Sequence, residues 1–120
     1  MSQTSNPQYD LEERTFVFAQ KARRFAKEIA RTITNIEDGK QLIRASGSVG
    51  ANYIEANEAL SKKDFKHRIK ICKKEAKESR YWLKLIDIGN DKWIEQNRKS
   101  LIKEATELMK IFGAILKNVG

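Results

Sequence analysis

Residues 64–86 read DFKHRIKICKKEAKESRYWLKLI, and they decide the fold because their apolar and small residues recur with the period of an α-helix. Spacings of four and three residues place such side chains on one face of a helix that packs against other helices. Ser61, with Asp64 three residues later, is typical of a helix N-terminus. The stretch therefore predicts a bundle helix with a buried seam of Phe65, Ile69, Cys72, Ala76, Ser79, Leu83 and Ile86.

Two further helices with the same spacing are predicted, one near each end of the chain. The first starts with a capping box, Asp10 and Glu13, and is expected to end near Thr34-Asn35. Gly89-Asn90 predicts a turn, and Asp91 is the expected cap of the last helix. The two seams are Leu11, Thr15, Phe18, Ala22, Phe25 and Ile29 in the first helix, and Ile94, Leu101, Ala105, Leu108, Phe112 and Ile115 in the last.

A fourth helix, expected from about residues 36–38 to Leu60, completes the set. Short connections make consecutive helices antiparallel neighbours. The predicted fold is therefore all-α, an antiparallel up-down-up-down four-helix bundle formed by residues 10–120 as a single domain. Residues 1–9 are polar and contain Asn6-Pro7, so we expect a flexible N-terminal tail.

The composition indicates a soluble chain of one domain. It has 120 residues, of which 40% are hydrophobic and 33% charged. The single cysteine, Cys72, excludes an intrachain disulfide and suits a reducing compartment. No apolar run approaches the roughly 20 residues that a membrane span needs, and residues 1–10 do not resemble a signal peptide. We expect a cytoplasmic protein without a membrane partner.

Positive charge is concentrated in the third predicted helix. Residues 62–80 hold nine Lys or Arg against three Asp or Glu, which is +6 of a formal net charge of +8. At 1.5 Å per residue, one basic stripe beside the seam is about 27 Å long. It is either a phosphate-binding surface or a plain solvated face, and bases of the first helix are expected to extend it. The residues are Lys66, Lys70, Lys73, Lys77, Arg80 and Lys84, with Lys74 and His67 outward of them, and Arg23, Arg24, Lys27 and Arg31 from the first helix.

The third and fourth helices each carry a second apolar row. A helix with two apolar faces buries the second one in a broader core or against another subunit. We favour the second alternative, a homo-oligomer, while the broader core stays open. The expected interface residues are Ile71, Trp82 and Leu85 of the third helix, and Ile102, Met109 and Leu116 of the fourth.

The second helix combines small residues with a polar series. The run RASGSVGANYIEAN, residues 44–57, is interpreted as close helix packing rather than a phosphate-binding loop, because it lacks the strand and the Lys-Ser/Thr pair of a P-loop. Its polar side chains predict an interhelix cluster that fixes the register of two helices. The members are Arg44, Asn52 and Glu55 with Glu75 or Glu78 of the third helix.

Catalytic chemistry finds little support. Carboxylates on adjacent helices are a feature of di-iron bundles, but those sites also need Glu-x-x-His from two helices. The only histidine, His67, lies on the basic face, and Cys72 lies on the buried seam. We therefore expect no metal, no cofactor and no enzyme activity.

The blocks QLIRASGSVGANYIEAN, residues 41–57, and DFKHRIKICKKEAKESRYWL, residues 64–83, resemble a bacterial four-helix-bundle family. It includes the proteins encoded in intervening sequences of large-subunit ribosomal RNA genes and the accessory variability proteins of diversity-generating retroelements. The resemblance runs from about Leu11 to Lys117. Its motifs fall on Arg44, Ser48, Asn52 and Glu55 of the second helix, and on Glu75, Glu78, Tyr81, Trp82 and Leu83 of the third.

The chain departs from the family pattern at two positions of the second helix. Gly50 stands where many members have proline, and Ala56 stands where they have glycine. The resemblance implies a homopentameric ring with a basic surface. It also implies nucleic acid or a reverse transcriptase as partner.

These expectations combine into one functional hypothesis. The protein is expected to be a non-catalytic, oligomeric nucleic-acid-binding protein that contacts RNA or DNA through backbone phosphates. The alternative is an adaptor of a retroelement-type system whose basic face docks a reverse transcriptase.

Overall fold

The computed structural model describes the backbone of residues 7–120 and the side chains of residues 11–120. Over that part of the chain it is a bundle of four helices without a β-strand, which confirms the all-α class and the four helices predicted. The predicted flexible tail lies mostly outside the described residues, as does the side chain of Asp10. The helices are α1 (Pro7–Glu28), α2 (Ile33–Asn57), α3 (Lys62–Leu85) and α4 (Lys92–Val119).

Helix α1 and the start of α2 differ from the predicted bounds. α1 begins at Pro7, a residue suited to a first helical turn because its fixed φ is helical and its missing N–H would be unpaired there. It ends at Glu28, and α2 begins at Ile33. The Thr32 hydroxyl accepts from the Asn35 backbone N–H at 3.1 Å and caps α2. The predicted break at Thr34-Asn35 is therefore inside the first turn of α2.

The starts of α3 and α4 agree with the predicted caps. The Ser61 hydroxyl accepts from the Asp64 backbone N–H at 3.0 Å, and the Asp91 carboxylate accepts from the Ile94 N–H at the same distance. Gly89 has φ +64°, a left-handed conformation that glycine adopts at little cost and that allows the turn between α3 and α4.

The core lies between the four helices and is filled by the predicted seams. α1 packs against α2 and α4, and α3 also packs against α2 and α4, whereas no Cα atoms of α1 and α3 lie within 8 Å of each other in the described residues. α1 and α3 are therefore diagonal partners. The largest fully buried apolar side chains are Phe18, Phe25, Phe112, Leu42, Ile69, Leu83, Ile86, Leu108 and Val49.

The small residues of α2 allow close packing, as the sequence predicts. A Cβ added at Gly50 would lie 2.9 Å from the Thr15 Oγ1 of α1, closer than real Cβ atoms approach. Gly47 and Gly50 are both in the middle of α2, so the pair forms no phosphate-binding loop. Of the three glycines of α2, Gly50 is the one at which an added Cβ would come closest to a side chain of α1.

One buried amide joins the connection after α1 to the connection after α3. Asn35 is 2% exposed, and its Nδ2 donates to the carbonyl oxygens of Ala30 at 3.1 Å and Asp87 at 2.8 Å. The Asp87 backbone N–H donates back to Asn35 Oδ1 at 3.0 Å. Because donor and acceptor atoms of the amide are both used, this polar group is buried without an unpaired atom.

None of the four helices described, over residues 7–120, is both long enough and apolar enough to cross a membrane.

Candidate nucleic-acid interface

The basic stripe of α3 is a solvent-facing surface. The side chains of Lys70, Lys73, Lys74, Lys77 and Lys84 are exposed. Lys66 and Arg80 are half-buried, and Arg80 donates to the Thr106 hydroxyl of α4 at 3.2 Å. Within residues 11–120, no basic side chain of the stripe lies within 4 Å of a carboxylate. Carboxylates of residues 11–120 therefore do not neutralise the positive charge of this stripe.

The stripe continues onto α4, which the sequence analysis did not predict. Lys99, Lys103, Lys110 and Lys117 follow one another at spacings of four, seven and seven residues, and all four are exposed. These spacings match the helical period, so the row of lysines was predictable from the sequence in the same way as the apolar seam of this helix. Together these lysines and the α3 stripe form the α3/α4 basic face.

Contacts between α3 and α4 place the two rows of bases side by side. Lys73 reaches across to α4, where its Nζ lies 3.6 Å from the position of a Cβ on Gly113. With Arg80 against Thr106, this contact fixes which residues of the two helices are level. To within one residue, the level pairs are Lys70 with Lys117, Lys77 with Lys110, and Lys84 with Lys103.

Acidic side chains near this face do little to reduce its charge. Lys99 and Lys110 lie 3.8 and 3.7 Å from Glu95 and Glu107 of their own helix. Both lysine side chains are more than 70% exposed, and exposed ion pairs of this kind contribute between about zero and 1 kcal/mol. A polyanion can therefore displace Glu95 and Glu107 from these two lysines at little cost.

The bases of α1 are separated from the α3 stripe by a neighbouring helix. Arg23, Arg24, Lys27 and Arg31 are exposed, but the first three lie on α1 and the last in the connection after it. α1 is diagonal to α3 and packs against α2 and α4, so these bases are not contiguous with the α3 stripe. Arg23 leans over α2, with Nη2 3.3 Å from a Cβ position at Gly47. That these bases add to a nucleic-acid surface stays a prediction.

The predicted polar cluster forms in part. Arg44 Nη2 lies 2.9 Å from Glu78 Oε1 and 3.4 Å from Glu75 Oε1, so this part joins α2 to α3. The longer contact lacks hydrogen-bond geometry, and the Glu75 Oε1 atom is buried without a hydrogen-bond partner in the described part of the chain. Glu55 is exposed on α2, and its side chain makes no described hydrogen bond or ion pair.

Asn52 has a different partner from the predicted one. Its Oδ1 accepts from Arg68 Nη1 of α3 at 3.1 Å, and its Nδ2 donates to the Ser48 carbonyl at 2.9 Å. Arg68 precedes Glu75 by seven residues, which is two helical turns, so the sequence did contain the spacing that places Arg68 on the α2 side of α3.

Four of the six expected interface residues pack within the bundle. Trp82, Ile102, Met109 and Leu116 are partly buried against the core. For these residues the structure corresponds to the broader-core alternative. Ile71 is half-buried, and Leu85 is 50% exposed.

The metal-ligating and thiol side chains of the described residues are dispersed or buried. Among residues 11–120 no three His, Cys, Asp or Glu side chains are grouped so that they could hold a metal ion. Cys72 is fully buried, and burial raises the pKa of its thiol to about 12, which keeps it protonated and unreactive.

Comparison with known proteins places the chain in a family. The family model described as "23S rRNA-intervening sequence protein" matches residues 14–114. No curated protein matches the chain. A solved structure of a protein of unknown function from the S23 ribosomal protein family of Bacteroides thetaiotaomicron is similar, with 28% sequence identity and a TM-score of 0.77 over 92% of this chain and 97% of that one. The fold and the matched residues together show that this chain belongs to the 23S rRNA-intervening sequence protein family.

Proposed function

We propose that the protein binds nucleic acid through the α3/α4 basic face, and that it does so by contacts with backbone phosphates. The observation that supports this most is the absence of carboxylate partners for the α3 stripe within residues 11–120. Like charges spaced four residues apart on a helix destabilise it by a few tenths of a kcal/mol per pair. Bound phosphates would remove that repulsion and release their counterions.

The chemistry of the face favours phosphate contacts over base recognition. Lysine ammonium groups on flexible stems act as point charges, whereas bidentate base contacts need arginine or amide side chains in fixed positions. Tyr81, at the edge of the face, is 57% exposed and packs edge-to-face against Trp82 with ring centroids 5.0 Å apart. Single-stranded nucleic acids stack successive bases on several aromatic side chains, and one ring at the edge of the face does not provide such a row. Binding is therefore expected to depend weakly on sequence.

RNA is the ligand to test first because the family description refers to 23S ribosomal RNA.

The contacts between α1 and α4 support an antiparallel up-down-up-down arrangement. Arg14, early in α1, pairs with Glu104 of α4 at 2.7 Å. Phe25, later in α1, lines one groove with Trp93 and Asn97, which come earlier in α4.

We include a homo-oligomeric state in the proposal, because several large apolar side chains are more than half exposed.

The proposal is tested by binding a labelled structured RNA and a matched duplex DNA across a salt series. In the first variant, Lys66, Lys70, Lys73 and Lys77 are each changed to Glu. The matched control changes Arg23, Arg24, Lys27 and Arg31 to Glu, on α1 and the connection after it. Each reversal removes two charges, so both variants lower the formal net charge from +8 to 0.

The two variants are expected to differ although their net charge is equal. The slope of log affinity against log salt should fall by roughly 3 in the α3 variant, because each lost phosphate contact removes about 0.7 to 0.9. The control should keep most of the affinity and of the slope. Equal losses in the two variants would show that only net charge matters, and an unchanged α3 variant would exclude the α3/α4 basic face.

A further inference from the structure

A groove between α1 and α4 is lined by residues that the α3 stripe does not include. It consists of two adjoining cavities of about 240 and 520 Å³, and Lys21, Ser100 and Leu101 line both of them. Binding sites for small molecules usually have volumes of about 300 to 1,000 Å³. The two cavities together therefore offer the room that a ligand of the size of a nucleotide needs.

The smaller cavity has an apolar floor and an aromatic wall. Phe25 of α1 and Leu101 of α4 line it and are 1% and 4% exposed, so they belong to the core and present only a small part of their surface to the cavity. Trp93, near the start of α4, also lines it and is 65% exposed. An exposed indole offers a flat face on which another planar ring can stack.

Three polar side chains with free hydrogen-bonding capacity line the same cavity. Asn97 lies one helical turn after Trp93 and is half-buried, and its amide makes no described hydrogen bond. Such an amide carries a donor and an acceptor side by side, the pattern that matches the N6 and N7 edge of adenine. Lys21 and Arg24 lie on α1, and neither is within 4 Å of a carboxylate among residues 11–120.

The charges along the groove are separated by sign. Lys21, Arg24 and Glu28 follow one another on one face of α1 at spacings of three and four residues. Glu28 is thus about 10 Å from Lys21 along the helix. Lys21 lies where the two cavities join, whereas Glu28 and Trp93 line the smaller cavity alone. An anionic group is therefore attracted to the junction, and an uncharged ring with amino groups suits the end near Trp93.

We propose that the α1/α4 groove binds a free nucleoside phosphate. The base stacks on the Trp93 indole, and the Asn97 amide pairs with its edge. The phosphates lie at the junction of the cavities, where the Lys21 ammonium and the Ser100 hydroxyl donate to them. This site is separate from the α3/α4 basic face, and the proposal does not require that face to bind RNA.

The residues of the groove favour a nucleotide over simpler ligands. Inorganic phosphate would use Lys21 but would leave the exposed indole of Trp93 without a contact. A purely apolar molecule would cover the indole but would leave the charges of Lys21 and Arg24 unpaired. A ligand that has a planar ring at one end and phosphate at the other satisfies both parts of the groove.

The first test measures binding of ATP to the full chain by calorimetry, with adenosine and tripolyphosphate as partial ligands. ATP should bind more tightly than either, because each partial ligand lacks one of the two contacts. Trp93→Ala should weaken ATP binding by about fivefold or more, which is the range expected for the loss of a base stack. Tyr81→Ala is the matched control, since Tyr81 is also an exposed aromatic residue, 57% exposed, but lies on α3, and it should keep the wild-type affinity.

Three results would overturn the proposal. They are no binding of ATP at millimolar concentration, a Trp93→Ala variant with the wild-type affinity, and tripolyphosphate that binds as tightly as ATP. Fluorescence gives a direct readout of stacking, because Trp82→Phe leaves Trp93 as the only tryptophan. In that variant ATP should quench the emission and tripolyphosphate should not, and equal quenching by the two would also contradict the site.

Charge reversals separate this site from the α3/α4 basic face. Lys21→Glu should lose most of the affinity for ATP, although it removes no part of the aromatic wall. The variant in which four lysines of α3 are changed to Glu should keep ATP binding even where it no longer binds RNA. Loss of ATP binding in the α3 variant, with retention in Lys21→Glu, would place the nucleotide on the basic face and refute the groove.

Discussion

Asn35→Ala is expected to lower the free energy of unfolding by about 2–3 kcal/mol, although the side chain is small and lies near a helix end. The change removes three hydrogen bonds: two donated to the Ala30 and Asp87 carbonyl oxygens and one accepted from the Asp87 N–H. Each such bond contributes about 1 kcal/mol net, and a buried group left unpaired costs more. Ala30 and Asp87 are exposed residues that water can partly reach, which limits the loss.

The expected loss is measured by urea unfolding and by the melting temperature. For a domain of this size, 2–3 kcal/mol corresponds to a decrease of about 10 °C. Hydrogen exchange gives a residue-specific readout, since the Asp87 amide should exchange faster in the variant than in wild type. Asn90→Ala is the control, because Asn90 is exposed and its side chain makes no described hydrogen bond. A loss below about 1 kcal/mol with unchanged Asp87 exchange would refute the view that this amide joins the two connections.

Two further predictions concern packing and pH. Gly50→Ala should destabilise the bundle by about 1–3 kcal/mol, because the new Cβ would lie 2.9 Å from Thr15 Oγ1. Gly39→Ala should instead stabilise it by about 0.5–1 kcal/mol, since its Cβ would have contacts of 4.0 Å; unfolding curves with the opposite order would contradict both. Burial raises the pKa of Cys72 from 9.0 to about 12, so its contribution to stability is complete below pH 9 and is lost as the pH rises toward 12. Urea unfolding at pH 8 and 10.5 should show a larger loss in wild type than in Cys72→Ala, and equal losses would disprove this coupling.

The sequence was most informative where structure depends on near neighbours. The caps Ser61 and Asp91 act within three residues, and the α3 seam depends only on helical spacing. The start of α2 was misplaced because Asn35 favours a loop by its local preferences. Its amide is instead buried, and two of its three hydrogen bonds join it to Asp87, 52 residues away, a contact that a single sequence does not display.

The candidate site was predictable helix by helix but not between helices. The helical spacing of the lysines alone identified the α3 stripe, and the same spacing would also have identified the lysines of α4. Which helices are diagonal is a property of the packed bundle, so the position of Arg24 and Lys27 relative to the stripe could not be read from spacing. Spacing likewise did not show that Ile102 and Met109 pack partly against their own core, and their place in an oligomer interface stays a prediction.

The placement of the basic residues on one side of the bundle has a consequence for avidity. In the proposed homo-oligomer each chain contributes its own α3/α4 basic face. One assembly would then hold separate segments of a polyanion, and each further segment would bind at an effective concentration set by the length of nucleic acid between them. Long RNA would be retained far more strongly than fragments that reach only one face.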